Sequence, residues 1–306
     1  MIKLKDILEQ GLAGGMAGNT QSSMLPGNTS KELNLRIQIV KNNFQQIQTL
    51  ANNIWKSRDA SWTDSFAKKI LGNNRSGMFN LAVSIFLLKK IENPSVSILS
   101  TIIALILRES KGEFISVNRP REIAAYIANI FGGNRSRGYA QIQPEVAKEF
   151  GIDPSTVETM TGSVNALYKI LSFRYKLAVK KGYSGSTITV WNPNSKKFEE
   201  QKAINNDAAL HVAMASHNGG VGVIQKWCKT NKLGLAAPCG SVNYKDDRIT
   251  NNDQPINNYI PRFKSRESDT VEYMKQNIKT FNSIKPSIEY AFANPLKNSI
   301  NPSNIA

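Results

Sequence analysis

The stretch that decides the fold is SILSTIIALILRES, residues 97–110, where apolar side chains fill almost every position before the chain turns charged. A surface helix would keep a polar side, whereas this segment is apolar on nearly every face, which is typical of a helix at the centre of a domain. Arg108, Glu109 and Ser110 follow the apolar run, and Gly112 is expected to end the helix. We therefore expect Glu109 to emerge from the core at the floor of a cleft.

This position suits a general acid. Burial disfavours the charged form of a carboxyl group, so an acid at the end of an apolar helix keeps its proton closer to neutral pH. A glutamate at a helix C-terminus is more commonly a solvated end residue, so the functional interpretation depends on neighbouring motifs. Glu113 lies one helical turn further on, but the intervening Gly112 argues against a shared helical face and favours a solvated loop residue.

Around this helix, the spacing of apolar residues predicts further α-helices separated by Gly, Asn and Pro. The predicted helical stretches are 31–57, 62–71, 77–90, 120–131, 143–150, 163–180, 206–229 and 268–284. Asn93 and Pro94 are expected to break the chain before the central helix. One strand signal, residues 187–191, is followed by a turn and a returning segment, which predicts a short hairpin. The predicted fold is therefore mainly α, with a small inserted β-hairpin.

Four regions follow from composition and periodicity. Residues 1–30 are expected to be a flexible N-terminal segment and linker, rich in Gly, Ser and Asn without periodicity. Residues 31–94 form an N-terminal helical extension with the character of an attachment module. Residues 95–265 form the central domain. Residues 266–306 are expected to hold a C-terminal helix and a disordered tail rich in Asn, Pro and Ser.

The charge balance points to a polyanionic partner. Lys and Arg number 39 against 23 Asp and Glu, giving a formal net charge of +16. Such a surplus favours nucleic acid, anionic lipid or a bacterial wall polymer. The cationic residues are scattered instead of forming a long run, which argues against specific nucleic-acid binding.

Other features bear on location and metal binding. The opening MIKLKDILEQ has no apolar region of secretory length, so we expect no export by that route. The longest mainly apolar stretch, 98–107, is shorter than the roughly 20 residues of a membrane span. Cys228 and Cys239 lack the second cysteine or histidine pair of a zinc site, and whether they pair with each other stays open. We expect neither a metal nor a cofactor.

Three more segments combine Gly with polar residues. GYAQIQP, residues 138–144, is a compact turn leading into a helix through Pro144. HNGGVG, residues 217–222, follows the helix predicted at 207–216, where glycine gives backbone freedom. NNYIP, residues 257–261, offers Tyr259 before an apolar residue and a proline. Taken singly, these segments are a helix start, a helix break and a loop anchor.

Taken in order with the Glu-Ser pair, the segments resemble the four motifs of the soluble lytic transglycosylases, whose domain is related to goose-type lysozyme. The matched positions are Glu109, Ser110, Gly138, Gln141, Ile142, Pro144, Asn218, Gly220, Gly222 and Tyr259. The resemblance covers residues 95–265, which it identifies as a lysozyme-like α-helical, lytic transglycosylase-like catalytic domain. His217, Gly219 and Val221 depart from the family's Tyr, Ala and Pro, and are expected to change the groove wall more than the chemistry.

The resemblance implies cleavage of the MurNAc-GlcNAc bond of peptidoglycan by one acid, without metal or cofactor. Glu109 is the implied catalytic residue, and Tyr259 orients it. Ser110 and Gln141 touch substrate or hold the site, and Asn218 fixes the loop beneath the sugars. From 111 to 139 the carboxylates are Glu113 and Glu122 alone, so no second catalytic acid is obvious, which favours the one-acid route.

Three alternatives stay open. One is a lysozyme-type hydrolase that uses Glu109 with a second acid, such as Asp207 or Asp246. Another is a structural virion or glycan-binding protein without turnover. The third is a nucleic-acid packaging protein, which would bind DNA tightly in a salt-dependent way without degrading the wall. A wall-directed activity without a secretory signal fits a bacteriophage virion component that acts at the periplasmic cell wall and contacts other virion proteins through its N-terminal region. A tail tip, an internal virion position and a cytoplasmic lysin are all compatible with the sequence.

Overall fold

The computed structural model describes residues 26–57, 76–110, 138–192, 197–219 and 261–293. Within these ranges the fold is mainly α, since helices account for 81% of residues, and one small two-stranded antiparallel sheet accompanies them. The helices of these ranges are α1 (Pro26–Ser57), α2 (Ser76–Glu92), α3 (Val96–Ser110), α4 (Pro144–Glu149), α5 (Met160–Lys180), α6 (Ala208–Gly219) and α7 (Pro261–Ala293). The strands are β1 (Thr187–Asn192) and β2 (Lys197–Lys202). The predicted fold class, mainly α with a small hairpin, is confirmed.

The described residues form two compact units. The first contains those up to Leu167 and those from Thr280 onward, and the second is Tyr168–Lys279. Helices α5 and α7 each contribute residues to both units. The division of the chain into four regions stays a prediction, apart from the helix limits corrected below.

Helix α3 forms the centre of the first unit. Every residue from Leu99 to Leu107 is buried, which confirms the expectation of a helix apolar on nearly all faces. Its start is defined by Ser95, whose Oγ accepts the backbone N–H of Ile98 at 3.3 Å in the manner of an N-cap. Asn93, in the left-handed conformation at φ 47°, ends the preceding helix at the predicted break.

The N-terminal and C-terminal helices pack together within this unit. Phe44 of α1 and Phe79 of α2 bring their rings to 6.0 Å between centroids. Phe86 of α2 and Phe292 of α7 lie closer, at 4.7 Å. Helix α7 therefore contacts the helices that the sequence assigns to an N-terminal extension.

Three predicted limits need correction. Helix α1 begins at Pro26, so residues 26–30 belong to a helix and not to a linker. Helix α7 extends over Pro261–Ala293 rather than 268–284, and it continues through Pro286. Its last turns persist because Ile288 and Ala291 are buried in the first unit, and this tertiary packing outweighs a tail-like local composition. The helices predicted at 62–71 and 120–131 lie outside the described residues.

The second unit contains the hairpin and α6. Strands β1 and β2 pair antiparallel, as the predicted hairpin requires, and the register runs from Thr187↔Lys202 to Asn192↔Lys197. Two left-handed residues, Asn205 and Asn206, then redirect the chain into α6. The turn is anchored where Ala208 donates its N–H to the carbonyl of Gly185 at 3.0 Å.

Candidate functional site

Glu109 and Ser110 are the last two residues of α3. Glu109 is half-buried, at the point where the fully buried part of the helix ends. Ser110 has no exposed surface, and its Oγ donates a hydrogen bond to the carbonyl of Ile106 at 3.1 Å. Because a fully buried side chain cannot touch a polymer, this position favours the second of the two roles expected for Ser110, which is to hold the site.

The GYAQIQP segment forms a turn closed by Gln141. Both the backbone N–H and the side-chain Nε2 of Gln141 donate to the carbonyl oxygen of Gly138, at 3.2 and 2.9 Å. Gly138 has φ +70°, and a Cβ there would lie 1.8 Å from the carbonyl oxygen of Val157. The turn therefore requires glycine for both its conformation and its close approach to the short 3-10 helix Thr156–Glu158.

Gln141 itself adopts an uncommon conformation. Of the described non-glycine residues with positive φ, the other three are asparagines, whose short side chains tolerate this region. Gln141, at φ 50°, lacks that advantage, and such a conformation costs on the order of 1 kcal/mol. Its two hydrogen bonds to Gly138 offset that cost. Backbone strain of this kind is concentrated at functional sites, which makes Gln141 a candidate functional residue by geometry as well as by motif.

The turn is supported from beneath by Ser163 of α5, which is fully buried. Its Oγ accepts the backbone N–H of Tyr139 at 3.0 Å and donates to the carbonyl of Val157 at 2.5 Å. Burial raises the pKa of Tyr139 to about 12, so its phenol stays protonated near neutral pH. Pro144 follows at the first turn of α4, as predicted. A single hydroxyl thus ties the motif to two other elements of the unit.

Helix α6 carries the third motif at its C-terminal end. The helix continues to Gly219, three residues beyond the predicted end at Ser216, so His217, Asn218 and Gly219 are helical. The last carbonyls of a helix lack partners within it. Arg174 supplies one, because its Nη1 donates to the carbonyl of Ser216 at 3.0 Å. Asn218 is exposed on this last turn.

The first turn of α6 is contacted by Tyr175, the residue that follows Arg174 in α5. Asp207 caps the helix, since its Oδ1 accepts the N–H of Leu210 at 3.0 Å. The hydroxyl of Tyr175 donates to Oδ2 of the same carboxylate at 3.1 Å. Burial, and then the negative charge of Asp207, raise the pKa of Tyr175 and keep it a donor. Consecutive residues of α5 therefore hydrogen-bond to opposite ends of α6.

Sequence reasoning missed Arg174, although a signal was present. Arg174 follows Leu171 by three residues and precedes Ala178 by four, which places it on the buried stripe of α5. A cation on such a stripe requires hydrogen-bond acceptors, because burying an unpaired charge is costly. A charged residue at an apolar position of the helical repeat therefore indicates a buried polar contact.

His211, in the middle of α6, was also missed. Its side chain is buried, and its Nδ1 accepts the backbone N–H of Ile204 at 3.3 Å. Burial lowers the pKa of His211 to about 4, so the imidazole is neutral in the folded protein at neutral pH. The only sequence signal for this buried residue was that a single histidine stands inside an apolar helical run.

The structure places the predicted site residues as follows. Glu109, Ser110 and Gln141 belong to the first unit, and Asn218 belongs to the second. The predicted residues outside the described ranges are Tyr259, Glu113, Glu122, Asp246, Cys228 and Cys239.

Comparisons with protein-family models, with curated proteins and with solved structures found no match to this chain. Among the described helices, none combines the length and apolar character that crossing a bilayer requires. In the same residues, His, Cys, Asp and Glu form no group of three or more that could hold a metal ion. A functional assignment therefore depends on the side chains described above and on the order of the sequence motifs.

Proposed function

We propose that this protein is a peptidoglycan lytic transglycosylase, which cleaves the β-1,4 bond between N-acetylmuramic acid and N-acetylglucosamine and leaves 1,6-anhydromuramyl ends. The observation that carries the proposal is the position of Glu109, which is half-buried two residues after the buried run Leu99–Leu107 at the end of α3. The strained, hydrogen-bonded turn of Gln141 in the same unit supports it.

In the proposed reaction Glu109 serves as acid and then as base. Its proton passes to the bridging oxygen as the bond from that oxygen to muramyl C1 breaks. The carbonyl of the substrate's own acetamido group stabilises the positive charge that develops at C1, so no second protein carboxylate is required. The Glu109 carboxylate then takes the proton of the muramyl C6 hydroxyl, and O6 bonds to C1. No water is consumed.

The contacts within each unit refine the roles of the other residues. Gln141 uses its amide to close the turn, which favours a site-shaping role. Asn218 is exposed at the end of a helix held at both ends, which suits a side chain that hydrogen-bonds to sugar hydroxyls. The orienting role of Tyr259 comes from the family resemblance alone.

The hydrolase alternative requires a second carboxylate that activates water or forms a covalent intermediate. Asp207, one of the two candidates, accepts a hydrogen bond on each oxygen, from the N–H of Leu210 and the hydroxyl of Tyr175. Both contacts serve the start of α6, which makes Asp207 a helix cap. Because both oxygens of the Asp207 carboxylate are occupied by these hydrogen bonds, the one-acid route is favoured over a mechanism that uses Asp207.

The surplus of cationic residues fits a wall-directed activity, because peptidoglycan carries carboxylates on its stem peptides. Within the proposal, the enzyme opens the wall locally for a bacteriophage particle, and its N-terminal region contacts other virion proteins. Isolated particles would then contain the chain, which mass spectrometry of purified virions can test.

The test of the activity is digestion of purified sacculi followed by mass spectrometry of the released fragments. Anhydromuramyl ends from wild type, and loss of at least about 100-fold in rate for Glu109→Gln, are the expected results. Glu145→Gln is the matched control, because Glu145 is an exposed carboxylate of the same unit. Reducing ends would show a hydrolase instead, and equal release by wild type and Glu109→Gln would remove Glu109 from the mechanism.

A further inference from the structure

The exposed face of α5 carries an unusual arrangement of side chains. Lys169, Phe173, Lys176 and Lys180 are all exposed, and all four belong to the second unit. At about 100° per residue these positions fall within an arc of roughly 60° and span about 16 Å along the helix axis. We call them the Lys–Phe stripe.

Phe173 is the central feature of the stripe. Its side chain is 49% exposed, although its chemistry favours burial. A single exposed apolar residue on a protein surface is ordinary. Phe173 differs because cations at i−4, i+3 and i+7 surround it on the same face.

The lysines of the stripe have no carboxylate beside them on the helix. Helix α5 contains no Asp or Glu along its whole length. Within the described residues none of the three lysines pairs with a carboxylate, and Lys176 and Lys180 stand at the repulsive i,i+4 spacing. The helix dipole explains a cation at the C-terminus, such as Lys180, but not Lys169 or Lys176. An anionic partner would relieve the repulsion.

We propose that the Lys–Phe stripe is a binding surface for the anionic glycan of the bacterial wall, formed by residues other than those proposed for cleavage. The apolar face of a sugar ring packs against Phe173, and the lysines pair with carboxylates of the stem peptides. The identity of this partner rests on the proposed function. Nucleic acid is the less favoured partner, because the cationic residues of the chain are scattered and form no long basic run.

The experiment measures sedimentation of the protein with purified sacculi in the Glu109→Gln background, so that cleavage does not consume the ligand. Changing Lys169, Lys176 and Lys180 together to Gln is expected to weaken binding about tenfold. The matched control changes Lys41, Lys56 and Lys148 to Gln, because these are exposed lysines of the first unit and the net charge becomes the same. Equal weakening by both triple variants would overturn the proposal in favour of a general charge effect.

The aromatic contribution is tested separately. Phe173→Ala is expected to weaken sacculus binding about fivefold, whereas Phe173→Tyr, which keeps the ring, retains it. Val179→Ala is the control, since Val179 is 51% exposed on the same helix, about 120° away from Phe173. Unchanged binding by Phe173→Ala, or an equal loss in Val179→Ala, would contradict the inference.

Competition identifies the partner. Soluble muropeptide oligomers are expected to displace the protein from sacculi, and duplex DNA at equal charge concentration is not. Displacement by DNA alone would assign the stripe to nucleic acid and overturn the proposal. If wild type releases no anhydromuramyl ends, the catalytic proposal fails, while binding by the stripe is still measured in the inactive background.

Discussion

Arg174 and Tyr175, consecutive residues of α5, hydrogen-bond to opposite ends of α6. Arg174 reaches the carbonyl of Ser216 in the last turn, and Tyr175 reaches the Asp207 carboxylate that caps the first turn. A 12-residue helix is about 18 Å long, so the two side chains diverge from adjacent positions to define its placement. The exposed Asn218 is carried by a helix fixed at both termini.

Arg174→Met is expected to destabilise the protein by about 2 kcal/mol, because it removes a charged donor from a buried carbonyl. Arg174→Lys should restore part of the loss, since an ammonium still donates to the Ser216 carbonyl. Urea denaturation measures the stability, and amide hydrogen exchange of residues 213–219 measures the local effect. Tyr175→Phe, the control, should loosen the first turn of α6 instead; unchanged exchange at 213–219 in Arg174→Met would contradict the contact.

Substitutions at Gln141 should separate strain from hydrogen bonding. Gln141→Ala loses the side-chain bond to Gly138 and keeps the left-handed backbone, so we expect a loss of about 1 kcal/mol. Gln141→Gly loses the same bond but removes the strain, so its loss should be smaller. Thermal and urea unfolding measure this order, and a larger loss for Gly than for Ala would show that φ 50° is not strained here. If Gln141 shapes the site, release of anhydromuramyl ends should fall in both variants.

Gly138→Ala should be among the most damaging substitutions in the first unit, with a loss of at least about 3 kcal/mol. The added Cβ would meet the backbone carbonyl of Val157, which cannot move aside as a side chain could. Gly151 is the matched control, because it also has positive φ, yet a Cβ there meets nothing within 4 Å. Gly151→Ala should cost only about 1 kcal/mol from its backbone conformation. Similar losses in the two variants would refute the close approach of the turn to Val157.

His211 should make stability dependent on acid. The folded protein holds His211 neutral with a pKa of about 4, whereas in the unfolded chain the imidazole has its ordinary pKa of about 6.5. The unfolded state therefore binds more protons between these values, so stability is complete above about pH 6.5 and falls by on the order of 3 kcal/mol as the pH drops to about 4.

His211→Asn tests this, because the Asn carbonyl can accept the Ile204 N–H and does not titrate. At pH 7 the variant should be less stable than wild type, because the smaller Asn side chain loses packing contacts of the buried imidazole. The difference should shrink as the pH falls to 4. Carboxylates titrate in both proteins and cancel in that comparison, so a constant difference across the range would contradict the burial effect.

Much of the fold could be predicted from the sequence, since the pattern of apolar residues is a local property. The periodicity of 97–110 predicts a buried helix, and α3 is buried from Leu99 to Leu107. Alternation and turn residues predict the hairpin, and β1 and β2 pair antiparallel. The order of the motifs identifies Glu109 and Gln141 as candidate site residues, because a carboxyl group and an amide have the same chemical capability in any fold.

Only the tertiary structure determined where the helices end and which partners the polar side chains contact. Helix α7 continues through Pro286 because Phe292 packs on Phe86, and α6 extends to Gly219 with Arg174 on a terminal carbonyl. For α7, local composition predicts a stop before Pro286, and for α6 the Gly-rich segment 217–222 predicts a helix break although the apolar pattern extends to residue 229. The free energy that continues each helix comes from residues far away in sequence, and periodicity along one segment contains no information about them.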